Sequence, residues 1–218
     1  LQRLTLQEKA NAKININDPF AKGMIADELD RLIDHFRNNG YLRLTRDDLV
    51  GIWDTLDLAL LKPIADPIEQ LQVFKQVQER SVHPRANLEI RLRPETTNEK
   101  LTQYKVGTIT LFPDFTSDTA GLKTTRVFEH GIHIERFRPV FMDHIFRDKI
   151  DFKTGQVYDQ RNYFKTLNQL NAMGGWRLVN LETIPRKNTD TTDILIKLTP
   201  AKKYTSFANL EGSSNQSL

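Results

Sequence analysis

The chain has no cysteine among its 218 residues. Disulfides, thiol nucleophiles and cysteine-ligated metals are therefore excluded. Long apolar runs are also missing, and a run such as 58–61 is far too short to span a bilayer as a helix. Residues 1–7 lack the basic start and apolar core of an export signal. Because the chain does not begin with methionine, this last feature leaves the compartment open.

A large charge of one sign is absent too. The sequence has 31 lysines and arginines against 28 acidic residues, a formal net charge of +3. It has no basic run and no strand that mixes aromatic and basic residues, so we expect no nucleic-acid binding. An apolar content of 39% with 27% charged residues is ordinary for a globular protein. The length fits one large domain or two of about a hundred residues each.

Two predicted helices each have one apolar face and end at glycine. Asp18 and Pro19 indicate the start of the first helix, with Asp18 as its N-cap, and Gly40 can take the left-handed conformation that closes it. The second helix is predicted over 158–173 and ends at Gly174 and Gly175. Such faces usually pack into a core. They consist of Ile25, Leu29, Leu32, Ile33 and Phe36 in the first helix, and Tyr163, Phe164, Leu167 and Leu170 in the second.

Alternating apolar residues predict strands at 87–93, 104–112, 177–184 and 192–199, and weaker strand character follows Tyr41. The polar segment 94–100 separates two halves that show the same order of strand, helix, glycine turn, strand, connection and strand. We therefore predict an α+β fold with two units, 1–95 and 96–200. A helical insertion at 55–85 is predicted inside the first unit.

Three motifs in the second half carry a family resemblance. A G-x-x-Y motif at 155–158 enters the helix, T-L-x-x-L lies along it at 166–170, and G-G-W at 174–176 leads into the next strand. Together they resemble the polypeptide-transport-associated (POTRA) repeat. Residues 193–203 and 207–215 resemble the last such repeat entering the first barrel strand in BamA- and TamA-like proteins of the Bacteroidetes type. Residues 18–20 and 39–42 resemble the penultimate repeat.

The resemblance implies two tandem repeats, each a small three-stranded mixed sheet covered by helices on one face. It implies that 201–218 is a linker and the start of a barrel strand, with the barrel itself missing from this chain. The expected place is the periplasmic side of the bacterial outer membrane. The expected role is non-catalytic and needs no cofactor. The arm would receive unfolded outer-membrane or secreted polypeptides, or dock accessory lipoproteins or periplasmic subunits, and so aid insertion or translocation.

The expected mode of binding is β-augmentation, in which an extended peptide adds a strand to an open sheet edge. In the family the last strand of each repeat, here 87–93 and 192–199, is the middle one, so the strand before it is an edge. Charges such as Arg43, Arg177 and Glu182 would moderate the aggregation hazard of an open edge. The predicted peptide-binding residues are Tyr41, Leu42, Arg43, Leu44 and Thr45 in the first repeat, and Arg177, Leu178, Val179, Asn180, Leu181 and Glu182 in the second.

Alternative functions remain open at this point. A free-standing POTRA-type scaffold for envelope protein interactions is one, and the insertion at 55–85 is a candidate docking segment. A metal-dependent enzyme using His130 and His133 is a remote one, since two carboxylates flank these histidines. Zinc usually needs three protein ligands, so exposed imidazoles are the favoured interpretation. The aspartates Asp47, Asp48, Asp54 and Asp57 lack the glycine-centred spacing of a cation loop and are interpreted as a solvated turn.

Overall fold

The structure, a computed structural model, describes residues 1–19, 21–54, 68, 71–72, 75, 86–119, 121–138 and 142–201. The chain divides into two compact units, Leu1–Tyr104 with Val157–Gln160, and Lys105–Gln156 with Arg161–Leu218. The first unit thus extends past the predicted boundary near residue 96. Most of the predicted insertion at 55–85, and the predicted barrel entry after residue 201, lie outside the described residues. In the described part, none of the helices combines the length and the apolar character that a bilayer crossing requires.

In the described ranges of the first unit, two helices and a two-stranded antiparallel sheet have defined bounds, and Ile68, Leu71, Gln72 and Lys75 are also helical. The helices are α1 (Gln2–Gln7) and α2 (Lys22–Asn38), and the strands are β1 (Leu49–Asp54) and β2 (Asn87–Leu92). Short 3₁₀ helices cover Lys9–Asn11 and Arg46–Asp48. The predicted apolar face of α2 is confirmed, because it forms the core of this unit. That core consists of Ile25, Leu29, Leu32, Ile33, Phe36, Leu44 and Leu49.

The predicted start of α2 is wrong. Ala21 is the N-cap, and the helix begins at Lys22 rather than at Pro19. The Asp18 carboxylate instead accepts a hydrogen bond from the backbone N–H of Asn15 at 2.7 Å. It therefore closes a turn before the helix, a common alternative use of aspartate near a helix start.

The predicted edge strand at Tyr41, Leu42, Arg43, Leu44 and Thr45 is also wrong. These residues form a turn in which the N–H of Leu44 donates to the carbonyl of Tyr41 at 3.1 Å. Thr45 and Asp48 then cap each other around the 3₁₀ helix, and β1 begins only at Leu49. The side chain of Leu44 is fully buried. Reciprocal capping and core packing thus outweigh the weak alternation that indicated a strand.

The described residues of the second unit form one α-helix and a five-stranded mixed sheet. The helix is α3 (Gln160–Ala172), and 3₁₀ helices cover Ser117–Thr119 and Asp143–Lys149. The strands are β3 (Lys105–Phe112), β4 (Thr125–Glu129), β5 (Ile132–Arg136), β6 (Trp176–Pro185) and β7 (Thr191–Pro200). Their order across the sheet is β4-β5-β3-β7-β6. The α+β class is confirmed.

The predicted three-stranded core is present as β3, β7 and β6, with the last strand in the middle. β7 runs parallel to β3 and antiparallel to β6. A hairpin that the sequence did not indicate adds two further strands through the parallel pairing of β5 with β3. His130 and Gly131 have φ values of 51° and 84° and form its two-residue turn.

We predict that Gly40→Ala destabilises the protein through both backbone strain and crowding. Gly40 has a φ of 93°, and an added Cβ would lie 2.8 Å from Gln103 Cγ and from Val157 Cγ1. Together these should lower the free energy of unfolding by about 2–3 kcal/mol. Gly174→Ala is the matched control, because Gly174 has a φ of 66° with no neighbouring atom within 4 Å. It should cost about 1 kcal/mol, since only the left-handed backbone strain remains. Urea unfolding followed by circular dichroism measures both, and equal losses would contradict the crowding argument.

Candidate peptide-binding edge

β6 forms one edge of the five-stranded sheet, as the sequence predicted. Its only neighbour among the described strands is β7, with which it pairs along nearly its whole length from Trp176 to Pro185. The six predicted residues of this edge, from Arg177 to Glu182, all lie within β6. Their role in binding peptide stays a prediction.

The register of β6 with β7 determines which backbone groups face outward. The N–H of Arg186 donates to the carbonyl of Thr191 at 2.9 Å, so these residues form a hydrogen-bonded pair. Hydrogen-bonded and non-hydrogen-bonded pairs alternate along an antiparallel ladder. Every second residue back along β6 therefore directs its N–H and C=O toward β7. These inward residues are Ile184, Glu182, Asn180 and Leu178, and the outward ones are Pro185, Thr183, Leu181 and Val179.

The outward position of Pro185 agrees with this assignment. A proline has no N–H to give to a ladder and is tolerated in a strand where the N–H would face solvent. The outward N–H donors are consequently those of Val179, Leu181 and Thr183. One outward acceptor is already in use, because the hydroxyl of Tyr163 on α3 donates to the carbonyl of Leu181 at 3.1 Å.

The side chains of β6 alternate between a buried and an open face. Val179 and Leu181 are buried, whereas Leu178 is 56% exposed and Ile184 is 45% exposed. On the open face Glu182 pairs with Lys197 of β7 at 3.1 Å. A peptide strand added to this edge would therefore continue a sheet with one apolar side and one mixed side.

A bulge marks the beginning of the edge. The register shifts between the Trp176–Pro200 pair and the Leu178–Thr199 pair, so Arg177 is the extra residue on β6. Arg177 is exposed. A bulge with a charged residue twists and blunts an edge strand, which limits pairing at this end.

A second irregularity fixes β7 against β3. The N–H of Thr108 donates to the carboxylate of Asp193 at 2.7 Å, where the pairing register shifts between Val106 and Ile109. Arg186 donates to both oxygens of the same carboxylate, at 2.8 and 2.7 Å. These hydrogen bonds from Arg186, helped by that from Thr108, lower the pKa of Asp193. The Asp193 side chain thus replaces a backbone contact between β3 and β7. It also links Arg186, which follows β6, to β7.

The other predicted binding segment offers no edge. Arg43 forms an ion pair with Glu99 and lies over the ring of Tyr104, 5.8 Å from its centroid. β2, expected as a middle strand, pairs with β1 alone among the described residues. The candidate site therefore lies in the second unit.

The histidine cluster does not assemble a metal site. The carboxylate of Glu135 is engaged by Arg126 at 2.7 Å and by the Thr124 hydroxyl at 3.0 Å, and His133 packs on the ring of Phe128 with centroids 4.9 Å apart. His130 lies in the hairpin turn. Across the described ranges, no group of three or more metal-ligating side chains comes together.

Within the acidic turn of the first unit, Asp48 has a structural role. Burial alone would raise the pKa of Asp48, but hydrogen bonds from Lys100 and Thr45 lower it overall. The Lys100 ammonium lies 2.6 Å from the Asp48 carboxylate. The expectation of a solvated turn is therefore wrong at Asp48, which is buried and paired. Asp57 lies outside the described residues, and nothing is described of the Asp54 side chain.

The contact of Tyr163 with β6 is not predicted by the sequence. Helical spacing predicts that Tyr163 lies on the apolar face of α3 together with Phe164, which is instead 51% exposed. Its contact with Leu181 depends on the register of β6, and no local pattern reports that register. A tyrosine at a position predicted to be buried was the one available signal, since a buried tyrosine hydroxyl usually needs a partner.

Comparison with known proteins finds similar solved structures only. No family model matches the chain, and no curated protein matches it. POTRA domains 3–5 of BamA from Haemophilus influenzae are 14% identical over 91% of this chain and 55% of that chain, with a TM-score of 0.46. POTRA domains 1–3 of Omp85 from Anabaena are 14% identical over 93% and 59%, with a TM-score of 0.38. BamA from Haemophilus ducreyi without its POTRA domains 1–3 is 13% identical over 92% and 27%, with a TM-score of 0.48. The chain thus spans less than two thirds of each of these structures.

We predict that Asp193→Asn reduces the loss of unfolding free energy that the protein shows as the pH falls into the acid range. The pKa of Asp193 is lower in the folded protein than its ordinary value of 3.8, so the carboxylate stabilises the fold above that value. This contribution is lost as the pH falls through the lowered folded pKa. Urea unfolding at neutral pH and at about pH 3 should show a larger loss in the wild type than in the variant. Arg186→Gln, which removes the cause of the shift, should reduce this loss as well. An identical acid loss in all three proteins would contradict this assignment.

Proposed function

We propose that this chain is a non-catalytic periplasmic arm of an outer-membrane β-barrel protein, and that it captures extended polypeptide by β-augmentation at β6. The single observation that carries the binding mode is the edge position of β6 among the described strands, with outward N–H donors at Val179, Leu181 and Thr183. The cellular setting rests on the POTRA-like motifs at 155–158, 166–170 and 174–176 and on the barrel-entry resemblance of 193–215. The partners are unfolded outer-membrane or secreted polypeptides and accessory envelope proteins.

The chemistry of the edge suits clients of unrelated sequence. Main-chain hydrogen bonds supply the affinity, and the side chains of the client matter little. Each such bond adds only about 0.5–1.5 kcal/mol net, so a short segment binds weakly and leaves easily. Weak and reversible capture is what a module needs if it passes a polypeptide on to a barrel rather than retaining it.

Proline substitutions at outward positions test the edge directly. Val179→Pro removes an outward donor and leaves the hydrogen bonds to β7 in place, so the module should fold and bind peptide about two- to tenfold more weakly. Thr183→Pro is a second variant of the same kind. Asn180→Pro is the matched contrast, because its N–H faces β7, and it should lower the unfolding midpoint strongly. The probe is a short fluorescein-labelled peptide of alternating valine and threonine with a lysine at each end, titrated by fluorescence anisotropy.

A peptide N-methylated at every residue is the control ligand, since it lacks all of the donors that an added strand needs on either edge. It should bind much more weakly than the unmodified peptide. If Val179→Pro and Thr183→Pro both fold and bind the unmodified peptide with wild-type affinity, the edge of β6 is not the binding site.

Cell fractionation tests the proposed setting. An immunoblot of the native protein, with and without boiling of the sample, should show a band much larger than this chain in the outer membrane, and the band should change mobility on heating. Heat modifiability of this kind reports a folded barrel. A band near 25.3 kDa in the soluble fraction would instead favour the free-standing scaffold and overturn the barrel part of the proposal.

A further inference from the structure

Tyr163 occupies the central acceptor of the proposed binding edge. Its hydroxyl donates to the carbonyl of Leu181 at 3.1 Å. Leu181 stands between the other two outward residues, Val179 and Thr183, and its carbonyl faces away from β7. In the described part of the chain, no other side chain donates to an outward backbone group of these three residues.

An incoming strand needs the acceptor that Tyr163 holds. Strands pair through alternating N–H and C=O groups of each outward residue, so full pairing with β6 includes a donor placed at the Leu181 carbonyl. The tyrosine ring comes from the helix side and lies at this same carbonyl. We propose that Tyr163 is a cap on the edge, whose hydroxyl competes for the Leu181 carbonyl with an extended peptide that pairs along the whole of Val179–Thr183. This inference rests on the proposed function and adds the regulation of its site.

The helix that carries the cap is firmly anchored, so the side chain is the part that moves. Lys165 of α3 pairs with Asp151 at 2.6 Å, and the Thr166 hydroxyl accepts the N–H of Asp151 at 3.0 Å. Thr166 and Leu170 are fully buried. The ring of Tyr163 is half-buried and packs edge-on against exposed Phe164, with centroids 5.4 Å apart. Displacement of the hydroxyl therefore requires a rotation of one side chain and leaves the helix in place.

The cap sets a minimum length of extended segment that the ligand must pair with β6. A segment that pairs with only one outward residue leaves the Tyr163–Leu181 bond intact and gains little. A segment extended across all three outward residues gains bonds on both sides of Leu181 and offsets the loss of the tyrosine bond. The ligand class favoured by this arrangement is a continuous extended polypeptide with free N–H groups. The same bond discourages casual pairing of the edge with a second copy of the chain.

The test compares Tyr163→Phe with the wild type, with the valine–threonine peptide as the probe. Removal of the hydroxyl frees the acceptor and keeps the ring, so the affinity should rise about two- to tenfold, the equivalent of one net hydrogen bond. Tyr41→Phe is the matched control, since it removes a hydroxyl in the first unit, and its affinity should equal that of the wild type. As a second measurement, the NMR resonances of ring-labelled Tyr163 in the wild-type chain should shift when the peptide is added.

The outcomes separate the cap from the edge. If Val179→Pro weakens binding while Tyr163→Phe binds no more tightly and the tyrosine resonances do not move, the cap is overturned and the edge stands. If neither substitution changes binding, the edge itself fails. If Tyr163→Phe promotes dimer formation in sedimentation experiments without a gain in peptide affinity, the tyrosine guards against a second copy, and the assignment as a peptide cap is overturned.

Discussion

The double pairing of β7 determines the architecture of the second unit. β7 pairs with β3 on one side and with β6 on the other, and its residues Ile194, Ile196 and Leu198 are almost wholly inaccessible to solvent. Burial of such side chains contributes roughly 1.5–3 kcal/mol each, which makes this strand costly to displace. Because both sides of β7 are used, a further strand can only be added outside it. The position of β6 at the edge is therefore a consequence of core packing.

An edge strand can bind an extended peptide, but it also promotes aggregation. Three features limit pairing along β6. Arg177 forms a charged bulge at its beginning, Pro185 removes a donor at its end, and Tyr163 occupies the acceptor in its middle. The part of β6 that remains for pairing with an added strand is the span from Val179 to Thr183. Short and interrupted edges resist indiscriminate pairing, whereas a long flat edge invites it. This combination fits the proposed transient binding of extended chains.

Sequence reasoning succeeded where one apolar pattern decides the structure. The faces of α2 and β7 and the left-handed Gly40 follow from periodicity and turn chemistry. It failed at residues 41–45, where the reciprocal contacts of Thr45 and Asp48 and the burial of Leu44 override a weak alternation. The sequence does not predict the hairpin of β4 and β5, because charged residues interrupt its apolar pattern. Tyr163 could not be assigned to the edge, since its partner is a backbone carbonyl placed by a long-range register.

That same register links the stability of the unit to its candidate function. The side chains of Val179 and Leu181 are buried, and their backbone groups face outward. A slip of β6 by one residue would expose both side chains and would turn the outward N–H groups toward β7. The hydrophobic core thus selects which donors are available to a ligand, although no side chain of the edge needs to contact that ligand specifically. Substitutions that preserve the burial of these two residues should preserve the binding geometry, even where the exposed residues of β6 change freely.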